Sequence, residues 1–150
     1  MKNILLGFCL TLCLAACDPP IDSKLKIVNT SNQPVLIFYN TEGTNHSIRG
    51  LSLDYDPFHE IHRADTSRSY RDSVLVDSPD YLLPGDTISA QLGVGSWESH
   101  IGSGHLWVYI FEPKTVLKND WKSILEGKKW KKVYSLTLDQ VKAGKWIVSL

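Results

Sequence analysis

The chain has 150 residues, with sixteen basic and sixteen acidic residues and a formal net charge of zero. A chain without net positive charge has no field that would attract phosphates, which argues against a nucleic acid as partner. The length suits a single globular domain with a core of its own.

The first segment of the chain combines a basic residue, an apolar run and a cysteine. Lys2 precedes an apolar run over residues 4–16, which has the length of a signal-peptide core and falls short of the ~20 residues that a membrane-spanning helix needs. The run ends in the letters LAAC, which resemble the lipobox, where cleavage precedes a cysteine that carries diacylglycerol. We predict a signal peptide over residues 1–16 and lipidation of Cys17. An ordinary secretory signal that contains a cysteine is the alternative.

Cleavage before Cys17 would remove the two other cysteines of the chain, Cys9 and Cys13. The mature protein would then have no disulfide and would depend on its hydrophobic core for stability. We expect a lipidated tether over residues 17–23, kept extended by two prolines, and one β-rich globular domain over residues 24–150.

The first part of this domain has the patterns of β-structure. Alternation around Leu25 and Ile27, turn-forming residues 29–32 and a β-branched and aromatic run over 35–39 predict a β-hairpin. The polar residues 41–69 predict a long excursion with at most a strand near 48–53.

The middle of the chain predicts two further strands. The first covers residues 70–76, and the second follows a turn at residues 84–86. In the second strand, Ile88, Ala90 and Leu92 are expected to share one face.

The C-terminal third mixes strands and helices. Six consecutive apolar residues over 106–111 predict a central strand that is covered on both faces. Apolar residues at helical spacing predict an amphipathic helix over about 115–126, with Thr115 or Asn119 as its cap and Gly127 as its left-handed end. A capping-box pattern opening at Thr137 predicts a short C-terminal helix over about 138–143 that stops at Gly144.

Strands over residues 130–136 and 146–150 complete the set of predicted elements. The fold class is therefore mostly-β or α+β: a two-layer, sandwich-like antiparallel sheet with one amphipathic helix and one short C-terminal helix.

The densest group of candidate metal ligands is His59, Glu60 and His62. The spacing differs from the H-E-x-x-H motif, and the segment has the composition of a solvated loop, so these residues are weak candidates for a metal site. No serine near His100 or His105 stands in a G-x-S-x-G elbow. We therefore predict no catalytic residue and no cofactor. The alternative is a metal-dependent or hydrolytic envelope enzyme that uses this histidine loop.

Five tryptophans are many for a chain of this length. The patterns assign Trp107, Trp121 and Trp146 to the core, whereas Trp97 in a glycine-rich loop and Trp130 among lysines are predicted at the surface. Exposed aromatic rings stack on sugars or anchor protein partners, so these two are candidate binding residues. The lysines around Trp130 also fit either a patch facing anionic headgroups or a solvated edge strand.

The C-terminal third contains a recognisable succession of short patterns. They are Ile110-Phe111-Glu112 at the end of a strand, Trp121 in a helix, Tyr134-Ser135-Leu136-Thr137 followed by Asp139, and Trp146 in a closing strand. This succession resembles small lipoproteins of Bacteroidota-type bacteria that have no assigned activity. In those proteins, a strand of the form IFD, a helix containing tryptophan, the pattern YxLTxxDL and a closing tryptophan strand follow one another.

This resemblance covers about a third of the chain and implies a location in the cell envelope, facing the periplasm or the cell surface. Together, the patterns predict a lipid-anchored binding or structural accessory domain rather than an enzyme. Its partners would be the membrane, through Cys17, and an envelope protein or glycan.

Overall fold

The computed structural model describes residues 21–41, 51–63 and 68–150. The predicted signal peptide and Cys17 lie outside these ranges, as does the first half of the strand expected near residues 48–53. The strands are β1 (Lys26–Val28), β2 (Val35–Thr41), β3 (Tyr81–Leu82), β4 (Thr87–Ser89), β5 (Leu106–Phe111), β6 (Lys132–Leu136) and β7 (Ile147–Ser149). The helices are α1 (His59–Arg63), α2 (Arg68–Asp77), α3 (Trp97–Ile101), α4 (Pro113–Lys118), α5 (Trp121–Glu126) and α6 (Leu138–Ala143).

The strands form two sheets, which confirms the predicted α+β, sandwich-like class. One sheet has the order β4-β1-β7, in which β1 is antiparallel to β4 and parallel to β7. The other has the order β3-β2-β5-β6 and is antiparallel throughout. The predicted strand over 130–136 is β6, an edge strand.

The four-stranded sheet is the middle of three layers, because it is covered on both faces. Leu106, Val108 and Ile110 of β5 belong to the core between the two sheets. Trp107, Tyr109 and Phe111 of the same strand belong to a second core, shared with residues of helices α1, α2, α4 and α5. The predicted burial of this strand on both faces is confirmed.

The predicted hairpin over residues 25–39 is wrong, although both of its strands exist. β1 and β2 lie in different sheets, and their apolar side chains face each other across the core instead of pairing edge to edge. The connection turns at Asn29, which is 0% exposed. Its side-chain amide donates to the carbonyl oxygens of Gln33 and Leu82, at 2.9 and 3.0 Å.

A second connection between the sheets, from β3 to β4, passes beside the first. It makes the turn predicted at residues 84–86, where Gly85 has φ +88° and its N–H donates to the carbonyl of Asn29 at 2.8 Å. The Asn29 N–H in turn donates to the carbonyl of Asp86 at 2.9 Å. The backbone and side chain of the buried Asn29 thus bind the two connections between the sheets to each other.

The strand pairing defines two ends of the sandwich. We call the end with the connections at Asn29 and Gly85 the corner end, and the opposite end, where the chain enters β1, the tether end. At the corner end, Leu82 pairs with Val35, and Phe111, at the end of β5, pairs with Leu36. At the tether end, Leu106 at the start of β5 pairs with Thr41, and the residues before β1 lie close to those after β4.

Two predicted elements differ in the structure. Residues predicted as a strand over 70–76 lie in helix α2, where neighbouring Val74 and Leu75 both pack on the helix-side core while Val76 is exposed. The region predicted as one helix over 115–126 is helical but divided, because Asp120 adopts an extended conformation and caps α5 by accepting from the N–H of Ser123. Lys128, with φ +49°, has the left-handed conformation that was expected for Gly127.

The C-terminal helix agrees with the prediction. Helix α6 covers residues Leu138–Ala143 and has the complete capping box between Thr137 and Gln140. The last strand contributes Val148 to the core between the sheets, whereas Ile147 is half exposed.

Candidate binding surface around Trp130

A shallow depression of about 400 Å³ opens at the corner end, on the helical side of the four-stranded sheet. It is lined by Glu112, Thr115, Asn119, Lys129, Trp130 and Lys131. These residues come from the start of α4, the residue after α4, and the segment that joins α5 to β6. Trp130, predicted as a candidate binding residue, is thus half-buried in the wall of a depression with polar surroundings.

The segment before β6 is held in place by its backbone. The N–H of Lys129 donates to the carbonyl of Ile124 at 2.9 Å, and that of Lys131 donates to the carbonyl of Ile110 at 2.8 Å. These bonds fix the residues directly before and after Trp130, so the backbone that carries the indole is held in one position. A fixed wall lowers the entropy that is lost when a ligand binds.

The indole of Trp130 is also oriented by the core. Its ring makes an edge contact with Tyr109, with the centroids 5.4 Å apart and the planes at 77°. The other side of the depression is ordered by Asn119, whose side-chain amide donates to the Thr115 carbonyl at 2.8 Å and whose side-chain oxygen accepts from Lys129 at 2.5 Å. An aromatic ring and a group of polar side chains are therefore both held in defined positions.

This combination suits a ligand that has both apolar faces and hydroxyl groups. Sugar rings expose C–H faces that pack on indoles, and their hydroxyls bind amides, carboxylates and ammonium groups. The lining contains two ammonium groups, of Lys129 and Lys131, and one carboxylate, of Glu112. It therefore has a net positive charge and also suits acidic sugars.

The other candidate tryptophan is not at the surface, which corrects the prediction for Trp97. Its side chain is 1% exposed and belongs to the core between the sheets. The indole N–H donates to the backbone carbonyl of Asp22 at 2.9 Å, and the backbone N–H of Trp97 donates to the Asp22 carboxylate at 3.1 Å. The residues predicted as tether therefore cover Trp97 and prevent it from stacking on a ligand.

The candidate metal ligands lie on helix α1 rather than in a loop. His62 is bound on both sides: its Nδ1 lies 2.5 Å from a carboxylate oxygen of Asp56 and its Nε2 lies 3.1 Å from the carbonyl of Val116. His59 and Glu60 form an exposed pair at 2.9 Å. Among the residues that the structure describes, no group of three or more His, Cys, Asp or Glu side chains is placed to hold a metal ion.

The two other histidines considered for catalysis pack against tryptophans on different faces of the four-stranded sheet. His100 contacts Trp97 on the sheet-to-sheet side, and His105 contacts Trp107 on the helical side. Within the described ranges, no helix is long and apolar enough to cross a bilayer.

Comparison of the chain with protein-family models, curated proteins and solved structures finds no match. The candidate site therefore rests on its own geometry. Sequence reasoning missed Glu112, Thr115 and Asn119 as partners of Trp130. The charged and amide side chains gave no signal, because only the packing of α4 against the segment before β6 brings them together.

Proposed function

We propose that this protein is a lipid-anchored domain of the cell envelope that binds an envelope glycan through the depression around Trp130. The observation that carries the binding site is the half-buried indole, oriented by Tyr109 and surrounded by carboxylate, amide, hydroxyl and ammonium groups. The LAAC pattern before Cys17 and the resemblance to envelope lipoproteins support the location.

The binding site is tested by isothermal titration calorimetry. The titrants are soluble glycans released from the envelope of the same cells, and the protein is the lipidated chain in detergent. Loss of an aromatic anchor is expected to weaken binding by at least ~10-fold in Trp130→Ala. The matched control is Tyr55→Ala, which removes an exposed aromatic ring that does not line the depression.

Equal affinity of wild type and Trp130→Ala would contradict the proposed site. Absence of heat with every glycan fraction would contradict a glycan ligand. Photo-crosslinking from position 131 in intact cells would then identify a protein partner if the depression binds one.

The anchor is tested separately. Cys17→Ser is expected to leave the precursor without lipid, because the acceptor thiol is lost. Its product should no longer incorporate labelled palmitate or partition into the detergent phase. A variant that is still labelled would show that the lipid is attached elsewhere.

A further inference from the structure

The chain is fastened to the globular domain only a few residues after Cys17. Ile21 forms a parallel bridge with Gly95, which lies just before α3. The next residue, Asp22, accepts the two hydrogen bonds from Trp97 described above. Ile21 and Asp22 of the predicted tether are thus docked on the domain at its tether end.

An ion network reinforces this docking. The Lys24 ammonium lies 2.9 Å from a carboxylate oxygen of Asp22 and 2.6 Å from one of Glu98 in α3. It also lies 4.1 Å from the ring centroid of Trp146. Burial opposes ionisation of Asp22, but hydrogen bonds from Lys24 and Trp97 outweigh it and hold the pKa of Asp22 below its usual value. Asp22 and Lys24 are therefore both charged at neutral pH. Their attraction stabilises the docked position of Asp22, the residue next to Ile21.

The short chain between Cys17 and Ile21 limits how far the domain can stand from a membrane. An extended chain advances by about 3.3–3.6 Å per residue, so the four steps from Cys17 to Ile21 span at most ~14 Å. A lipidated Cys17 lies at the headgroup layer, since its acyl chains occupy the hydrocarbon. Ile21 and its neighbours at the tether end must then lie within that distance of the headgroups.

Two apolar side chains are exposed at this place. Ile21 is 53% exposed and Val94, which precedes its bridge partner Gly95, is 57% exposed. Val94 stands between two glycines with positive φ, +56° at Gly93 and +122° at Gly95. A side chain at position 95 would be strained and would place its Cβ 3.4 Å from Nε2 of His100. The glycine pair thus forms a tight loop that presents Val94 beside Ile21.

We infer that Ile21 and Val94 contact the headgroup layer of the bilayer that holds the lipid of Cys17. The sandwich then stands with its tether end towards the membrane, and the Trp130 depression at the corner end faces away from it. Two apolar side chains bind a bilayer weakly on their own, so the lipid supplies the attachment and this surface fixes the orientation. The inference rests on the proposed lipidation of Cys17.

The orientation is tested by fluorescence quenching in vesicles of phosphatidylethanolamine and phosphatidylglycerol that contain a nitroxide-labelled lipid. The lipidated protein carries Val94→Cys or Leu83→Cys, each labelled with an environment-sensitive dye. Leu83 is the matched control because it is an exposed apolar residue at the corner end. The only native cysteine expected in the mature chain is blocked by its thioether, so each variant is labelled at one position.

The label at position 94 is expected to be quenched by at least ~3-fold more than the label at position 83 because it lies at the headgroup layer. Equal quenching of the two labels on vesicle-bound protein would overturn the inference and leave the anchor intact. Failure of the protein to float with vesicles would instead overturn the proposed lipid attachment.

Discussion

The tether end and the corner end of the sandwich each contain a tryptophan in a turn-rich segment, and their surroundings are opposite. Trp97 is covered by Asp22, which is 75 residues away in the sequence, and it has become part of the core. Trp130 is flanked by lysines, packs edge-on against Tyr109 and keeps part of its ring in an open depression. The comparison shows that a distant segment decides whether a loop tryptophan stabilises the fold or remains available to a ligand.

Removing each tryptophan separates these two roles most clearly. Trp97→Ala should lower the free energy of unfolding by about 3–5 kcal/mol, because it leaves a large cavity and removes the indole donor of the Asp22 backbone carbonyl. Trp130→Ala should cost only about 1–2 kcal/mol, since its ring is half-buried. Urea denaturation followed by circular dichroism measures both values. Similar losses in the two variants would contradict the distinction.

The corner end depends on a polar residue rather than an aromatic one. Asn29→Ala leaves the Leu82 carbonyl without its buried side-chain donor and should cost about 2–3 kcal/mol. The Gln33 carbonyl loses one donor and keeps the hydroxyl of Ser31. Thr30→Ala is the matched control, because Thr30 is an exposed neighbour whose hydroxyl bonds to the carbonyl of Leu150. Urea denaturation measures both free energies of unfolding. A loss for Asn29→Ala no greater than that for Thr30→Ala would show that the side chain of Asn29 does not stabilise the two connections between the sheets.

Asp80, just before β3, makes the corner end sensitive to pH. Burial raises the pKa of its carboxyl from the usual range of an aspartate to about 6. A folded-state pKa above the unfolded value means that the folded protein binds the extra proton, so this group's contribution to stability falls as pH rises from about 4 to 6. Asp80→Asn should therefore stabilise the protein by about 2 kcal/mol at pH 7.5 and by less than about 1 kcal/mol at pH 4.5. A stabilisation that is independent of pH would contradict this assignment.

Secondary-structure elements that depend only on nearby residues in the sequence are predicted correctly. The capping box at Thr137 is complete within four residues, and the apolar run of β5 needs cover on both faces wherever it is placed. The errors concern alternatives that the local pattern leaves open. Consecutive apolar residues 74–76 fit a strand or a helix, and the turn-forming residues 29–32 fit a hairpin or a crossing between sheets. The hydrogen bond from the side chain of Asn29 to the carbonyl of Leu82, 53 residues away, favours the crossing between sheets.

For the candidate site, the sequence predicts the aromatic residue Trp130 but not the polar residues that surround it, because these come from a different element of the fold. A tryptophan among lysines marks a surface aromatic, and the structure places Trp130 in a depression. The sequence predicts Asn119 or Thr115 as a helix cap, and nothing in their sequence positions indicates that α4 ends beside the indole of Trp130. Trp97 failed as a candidate because its cover comes from residues assigned to a tether.

The most direct test of the binding site follows the five indole N–H signals by ¹H–¹⁵N NMR, with the lipidated protein in detergent and the envelope glycan as titrant. Single-tryptophan substitutions assign the signals. The Trp130 signal should shift in proportion to occupancy, while that of Trp97, which is bonded to the Asp22 carbonyl, should stay in place. Saturating glycan that leaves the Trp130 signal unmoved, or that shifts Trp97 instead, would contradict a ligand site at the corner end.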